Sequence, residues 1–204
     1  GYLVGHGEVA DGVLWIQCDE DDALRADQLG EWLDELQTQA GATTVTLVVD
    51  SCQSGAILEA CRPAPGLIRV LIGSSDVEEP AFFSAGGLLS FSSHFTGAVH
   101  RGHSVGEGFE TGRAVMGRYQ SPQLDDTGDG EYSEREDGRV AETVVLGLEG
   151  LRGAEAPSVG LVSPNQRLDE NTTDVLLWAS QIDATWPLTG VKPPSALLQT
   201  APWQ

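Results

Sequence analysis

The strongest constraint on the fold is a regular alternation of two kinds of segment over residues 1–155. Short β-branched runs occupy residues 2–4, 45–49 and 68–72, and longer amphipathic stretches separate them. One such stretch carries apolar residues at helical spacing, Leu29, Trp32, Leu33 and Leu36. The alternation is typical of β-α-β units. It predicts an α/β fold with a mostly parallel sheet and flanking helices.

Further elements follow from the same patterns. Residues 13–16 resemble a short hairpin edge, and helices are expected at about residues 91–99 and 105–119, with Gly102 as a stop between them. In the first helix, the apolar stripe should face the sheet. Its acidic residues should then lie in water, namely Asp27, Glu31, Asp34 and Glu35.

The charge of the chain excludes several kinds of partner. Its 204 residues include 11 Lys plus Arg against 31 Asp plus Glu, a formal net charge of −20. A negative field of this size repels phosphate, so we expect no nucleic-acid partner and no anionic membrane surface. No apolar run approaches the roughly 20 residues that a membrane span needs, so no span is expected either.

The residue pattern of the chain changes after the alternating region. Residues 153–157 resemble a linker, and residues 158–204 contain short strand-like segments, as at the start of an Ig-like β-sandwich. The sequence therefore predicts one domain over residues 1–152, a linker over 153–157 and part of a second domain over 158–204. The only methionine is Met116. Residues 1–7 resemble a strand from the middle of a fold, so we expect an N-terminally incomplete first domain.

Two predicted strands end in residues that can perform chemistry. Tyr-Leu-Val-Gly-His6-Gly7 leads an apolar strand into a histidine, and Val-Val-Asp50-Ser-Cys52 leads another into a cysteine. The carboxyl ends of parallel strands meet at one rim, where α/β proteins hold their sites. A histidine there can take the proton of a thiol, because the thiolate is the stronger nucleophile. The flanking glycines let backbone N–H groups approach a substrate carbonyl.

These two motifs resemble those of the caspase, legumain and metacaspase clan of cysteine peptidases, and most of all bacterial legumain-like proteins. The resemblance extends over residues 1 to about 150 and includes the segments at 24–33, 91–95 and 122–126. It implies a caspase-hemoglobinase fold whose first strands are missing here. It also implies that His6 is the catalytic histidine, that Cys52 is the nucleophile, and that the N–H groups of Gly7 and Cys52 form the oxyanion hole.

The same resemblance suggests a pocket for the side chain that precedes the cleaved bond. Asp50 lies where relatives carry an acidic pocket residue, and a carboxylate there pairs well with Arg or Lys. Metacaspases share the Asp-Ser-Cys motif and take basic residues, whereas legumains have Glu at that position and take Asn. The loop Ser74-Ser75-Asp76 would line the same pocket, although Asp76 is equally suited to capping a turn.

A second motif lies in the polar segment after residue 121. Counted from Asp125, oxygen-bearing side chains fall at the spacing of a calcium loop, at Asp125, Thr127, Asp129, Glu131 and Glu136, with glycine at the sixth position. The sequence predicts that calcium binds here. The alternative is a solvated acidic loop, which is common in so acidic a chain.

The three cysteines form no C-x-x-C pair, so neither a zinc knuckle nor a dense disulfide framework is expected. Apart from Cys52, the sequence leaves two roles open for Cys18 and Cys61. They are either inert core residues or partners in a disulfide.

Taken together, these features predict a cysteine endopeptidase that acts on peptides or proteins, cleaves after Arg or Lys, and needs no cofactor for its chemistry. Two alternatives lie within the same chemistry, an Asn-specific legumain-like peptidase and a transamidase or ligase. A third is a non-catalytic, calcium-dependent interaction module. By resemblance, the attached sandwich and the calcium loop favour a secreted or cell-surface bacterial protein, although the compartment itself is left open.

Overall fold

A computed structural model describes residues 1–18, 22–41, 44–132 and 135–146 of the chain. In chain order, its strands are β1 (Tyr2–Val4), β2 (Gly7–Ala10), β3 (Val13–Gln17), β4 (Ala23–Arg25), β5 (Thr44–Asp50), β6 (Ile68–Gly73) and β7 (Gln123–Asp125). Its α-helices are α1 (Ala26–Ala40), α2 (Ala56–Ala60), α3 (Phe91–His100) and α4 (Val105–Met116). Two short 3₁₀ turns occupy Ala85–Gly87 and Ala141–Thr143. The predicted linker and second domain lie outside the described residues.

The central sheet has four strands in the order β1-β5-β6-β7. The first three are parallel, and β7 runs antiparallel to β6. Each parallel crossover contains a helix, as the alternation in the sequence indicates. The prediction of an α/β fold with a mostly parallel sheet and flanking helices is therefore confirmed.

A second, antiparallel sheet joins β2, β3 and β4 in that order. Residues 13–16 were expected at a hairpin edge, but they lie in β3, the middle strand of this sheet. Leu14 and Ile16 of β3 pack on the core shared with α1 and α2. The middle position suits this burial, because the backbone N–H and C=O groups of β3 then have partners on both sides, whereas an edge strand would lack partners on one side.

Alternate residues of the central strands serve two separate cores. Leu47, Val49 and Leu71 face α1, α2 and β3. Val48, Val70 and Ile72 face α3 and α4, where the phenylalanines 91, 95 and 109 supply much of the apolar volume. Both faces of the sheet are thus covered, which is why these strands are apolar at nearly every position.

Helix α1 departs from the predicted pattern at its C-terminal half. Leu29 and Leu33 pack on the core as expected, but Leu36 is 40% exposed and Gln37 is buried instead. The cause is Arg69 of β6, which points to this face and is itself fully buried. Its guanidinium donates to Gln37 Oε1 at 2.7 Å and to Asp34 Oδ1 at 2.5 Å, so Asp34 does not simply lie in water.

Helices α3 and α4 both begin with a capping box, formed around Ser90 and Ser104. In α4 the Glu107 carboxylate accepts a hydrogen bond from the Ser104 N–H, which lowers the pKa of Glu107. Gly102 lies between the helices with φ +91°, a conformation that suits glycine at a helix end. The predicted stop is confirmed, although α4 ends at Met116 rather than at Tyr119.

None of the helices in the described part of the chain combines the length and the apolar character that a bilayer crossing requires.

Replacing Arg69 by methionine tests the buried polar cluster beside α1. Arg69 donates to Gln37, Asp34 and the Cys61 carbonyl, and methionine would leave the buried Gln37 oxygen and the Cys61 carbonyl without this donor. We expect Arg69→Met to lower the free energy of unfolding by about 2–4 kcal/mol, measured by urea denaturation. Arg113→Met is the control, because Arg113 pairs with Glu110 in an exposed position. Equal losses in the two variants would contradict the assignment of Arg69 as a structural donor.

Candidate functional site

The register of β1 and β5 brings His6 and Cys52 to the same rim of the sheet. In the parallel pair β1 and β5, Val4 lies opposite Asp50. His6 and Cys52 each follow these partners by two residues, so both lie just beyond the carboxyl ends of neighbouring strands. The His6 residue is exposed and Cys52 is half-buried, so a substrate can approach both from solvent.

Glycine at position 7 lets the two turns touch. A Cβ atom at Gly7 would lie 2.5 Å from Ser51 Oγ and 2.6 Å from the Cys52 carbonyl oxygen, which is closer than van der Waals contact permits. The backbone after His6 therefore packs directly against the backbone at Cys52. Any other residue would push the two turns apart.

Two backbone N–H groups lie at this contact, those of Gly7 and Cys52. The Gln17 N–H donates to the His6 carbonyl at 2.9 Å, and Gly7 is the next residue in register, opposite Ile16. In an antiparallel pair the hydrogen-bonded positions alternate, so the Gly7 N–H points away from β3. Within the described residues, the N–H of Cys52 also donates to no protein acceptor. Two backbone N–H groups at the contact between the turns thus have no acceptor in the described part of the chain.

The turn that carries Cys52 is held from several sides. Ser75 Oγ donates to the Ser51 carbonyl at 3.0 Å, and the Gln53 N–H donates to the Glu79 carbonyl at 2.8 Å. Gln53 has a φ of +58°, which is uncommon outside glycine. The thiol itself accepts a hydrogen bond from the Ala81 N–H at 3.4 Å.

Asp50 is fully buried at the end of β5, and only one of its oxygens has a partner. Oδ2 accepts from the Ser92 N–H at 2.8 Å and from the Ser92 hydroxyl at 2.5 Å, near the N-terminus of α3. The Tyr2 hydroxyl donates in turn to Ser92 Oγ at 2.9 Å. Burial of Tyr2 raises the pKa of its phenol, so the hydroxyl stays protonated and remains a donor. Oδ1 of Asp50 is left with an unused lone pair.

The loop after β6 contains the other predicted pocket residues. Ser74 and Ser75 are both fully buried, and their hydroxyls lie 3.4 and 3.2 Å from Ser54 Oγ. They therefore brace the turn that carries Cys52. Asp76 accepts from the Glu78 N–H at 3.2 Å and from Gln123 Nε2 at 2.6 Å, so the turn-capping role that the sequence left open is the one observed.

The predicted calcium loop is organised around Asp125, which is fully buried. Its Oδ1 accepts from the N–H groups of Thr127 and Gly128 at 3.0 and 2.7 Å, and its Oδ2 from that of Gly130 at 3.0 Å. Asp129 accepts from the Glu131 N–H at 2.9 Å, and Glu131 and Glu136 are exposed. In the described part of the chain no three such side chains are grouped to hold a metal ion. Calcium binding stays a prediction.

The remaining cysteines form no disulfide. Cys61 is fully buried between α1 and α2, where its thiol donates to the Ala26 carbonyl at 3.4 Å. Burial raises the pKa of Cys61 to about 12. Cys18 is exposed, and partial burial of its sulfur raises its pKa as well. Of the alternatives left open above, Cys61 is a core residue and the pairing with Cys18 is absent.

Three residues around this rim were not singled out from the sequence. Ser92 orients Asp50, Gln53 shapes the turn that carries Cys52, and Ala81 contacts the thiol through its backbone. Ser92 lies in a segment that carries the family resemblance, and Gln53 follows Cys52 directly, so both could have been suspected. Ala81 makes its contact through a backbone N–H, which almost every residue type has, so no sequence signal pointed to this position.

The chain matches no protein-family model, and no curated protein matches it.

Substitution of Gly7 tests the close contact between the two turns. The added methyl group of Gly7→Ala would overlap Ser51 Oγ and the Cys52 carbonyl oxygen. We expect it to lower the free energy of unfolding by about 1–3 kcal/mol, as overpacking does. The control is Gly97→Ala within α3, where the nearest neighbour of a Cβ atom is an Arg101 side-chain nitrogen at 3.5 Å. Alanine there should be neutral or stabilising, and a Gly7 variant that behaves likewise would contradict the contact.

Proposed function

We propose that this protein is a cysteine endopeptidase that uses Cys52 as nucleophile and His6 as proton acceptor and donor. The observation that supports this most is the contact of Gly7 with the Cys52 turn, at the ends of adjacent parallel strands. A thiol, an imidazole and two unoccupied backbone donors then belong to one exposed rim. Each of these groups has a defined part in acyl transfer.

The reaction begins when His6 accepts the thiol proton and the Cys52 sulfur attacks the carbonyl carbon of the scissile bond. The carbonyl oxygen becomes negative, and the N–H groups of Gly7 and Cys52 donate hydrogen bonds to it. His6 then returns the proton to the leaving amine, and the C–N bond breaks. An acyl group remains on Cys52. Water, with its proton taken by His6, hydrolyses this thioester, releases the second product and restores the thiol.

The environment of Asp50 supports the proposed specificity for a basic residue before the cleaved bond. Its Oδ1 is buried without a hydrogen-bond partner, although Oδ2 is fully engaged by Ser92. A buried acceptor of this kind costs free energy until a donor reaches it. The guanidinium of Arg or the ammonium of Lys would supply both the donor and the opposite charge. Asp76 contributes less to such a pocket, because its two oxygens are already occupied.

Substitution of Cys52 is the direct test of the proposed activity. Cys52→Ala should abolish turnover of Arg-containing peptides, and it should abolish covalent labelling by a thiol-directed probe that carries an Arg side chain. The fold should remain, because the substitution only removes a small side-chain atom at a half-buried position. Mass spectrometry of the labelled protein and circular dichroism check these two expectations.

Cys61→Ala is the matched control. Cys61 is buried and its thiol has a raised pKa, so this variant should keep turnover and labelling. Loss of activity only in Cys61→Ala would mean that the wrong thiol has been chosen. Absence of labelling in the unsubstituted protein, with calcium present or absent, would contradict the peptidase proposal and favour a non-catalytic interaction module.

Asp50→Asn tests the proposed preference for basic residues. Loss of the charge should lower kcat/KM about 10- to 100-fold for a substrate with Arg before the cleaved bond, as for one charge-assisted hydrogen bond. The value for a matched Asn substrate should change little or rise. Asp27→Asn is the control, since Asp27 pairs with Arg25 on the surface of α1.

A wild-type preference for Asn would replace the basic assignment with a legumain-like one. Product analysis with an added amine nucleophile separates hydrolysis from ligation, because an amine that resolves the thioester leaves a new amide.

A further inference from the structure

We infer that Gln53 is a positioning residue that fastens the edge of β2 to the nucleophile turn and thereby holds the Gly7 N–H beside Cys52. The contact itself depends only on the geometry described here. Its consequence for catalysis rests on the proposed peptidase function.

The edge of β2 that faces away from β3 carries two backbone donors. Val9 lies opposite Leu14, and Gly7 lies opposite Ile16. Both are non-hydrogen-bonded pairs, because they alternate with the hydrogen-bonded pairs of this ladder. The bond from the Gln17 N–H to the His6 carbonyl marks one of the hydrogen-bonded pairs. The N–H groups of Gly7 and Val9 therefore point to the same side, about 7 Å apart along the strand.

The Gln53 side chain accepts a hydrogen bond from only one of these two donors. Its side-chain Oε1 accepts from the Val9 N–H at 2.8 Å, as the carbonyl of a neighbouring strand would. The Gly7 N–H lies two residues away on the same edge, at the residue where an added Cβ atom would be only 2.6 Å from the Cys52 carbonyl oxygen. The amide of Gln53 thus fixes the distance between the β2 edge and the turn that carries the thiol.

Gln53 can serve as an anchor because its own backbone is fixed. Its N–H donates to the Glu79 carbonyl at 2.8 Å, and its carbonyl accepts from the Ala56 N–H at 3.2 Å. The Glu79 carboxylate is bound in turn by the N–H and hydroxyl of Ser121, at 2.7 and 3.0 Å. The β2 edge is therefore tied through Gln53 to the loop after β6 and, through Glu79, to the segment before β7.

The backbone conformation of Gln53 sharpens the inference. A φ of +58° favours glycine, and another residue pays about 1 kcal/mol or more to adopt it. Glycine would fit the turn without strain, yet it would bring no acceptor for Val9. What glutamine adds at this position is its side-chain oxygen.

Three variants of Gln53 separate the side chain from the backbone. Gln53→Met keeps the length and removes the acceptor, Gln53→Gly relieves the φ strain and removes the acceptor, and Gln53→Glu keeps an acceptor oxygen. We expect kcat for an Arg peptide to fall at least tenfold in the first two, with KM changed less than about twofold, because the oxyanion donor acts mainly in the transition state. Gln53→Glu should retain most of kcat. Wild-type kcat in Gln53→Met or Gln53→Gly would overturn the inference.

Amide hydrogen exchange at Val9 provides a readout that needs no activity. In folded protein, Gln53→Met should speed exchange at Val9 at least tenfold and leave Trp15, a ladder residue of β3 opposite Glu8, unchanged. Unchanged exchange at Val9 would overturn the inference even in an active enzyme. If the wild-type protein hydrolyses no peptide but exchange at Val9 responds as expected, the proposed function fails and the anchoring role of Gln53 stands.

Discussion

The contact between the backbone after His6 and the backbone at Cys52 is the constraint on which the candidate site depends. Parallel pairing of β1 with β5 brings the two segments to one rim, and glycine at position 7 lets them meet without a side chain between them. Because β1 has only three residues, a small shift of this strand would move the histidine away from the thiol. The second sheet resists such a shift, since β2 continues from the histidine and is held by β3 and by Gln53.

Buried polar groups organise the rest of this region. Arg69 ties α1 to β6, Asp50 ties the end of β5 to α3, and Asp125 gathers the backbone of the loop after β7. In each case a charged group is withdrawn from water and is balanced by donors or acceptors at fixed distances. Asp50 differs from the other two, because one of its oxygens has no partner. That difference supports the proposal that Asp50 binds a substrate side chain in addition to stabilising the fold.

The sequence was sufficient to predict elements whose pattern is local. Residues 45–49 and 68–72 are apolar throughout, as expected for strands covered on both faces, and they form β5 and β6 with one or two residues added. The stop at Gly102 was equally readable, because a left-handed residue at a helix end favours glycine. Errors arose where a distant residue competes with the local pattern. Gln37 is buried in place of Leu36 because Arg69 needs acceptors on that face. Strand β3 lies in the middle of its sheet because the earlier strand β2 and the later strand β4 both pair with it.

For the candidate site, the sequence by itself determined where the reactive and charged side chains of His6, Cys52 and Asp50 stand, and that each follows or ends an apolar strand. Residue type and strand-end position are local properties, so they can be read along the chain. Only the tertiary structure decided that Ser74 and Ser75 brace the turn, that Gln123 donates to Asp76, and that Ser92 occupies one oxygen of Asp50. These roles depend on which atoms approach across 20 or more residues of chain. Packing of the whole sheet sets these contacts, so they cannot be predicted from the type of any single residue.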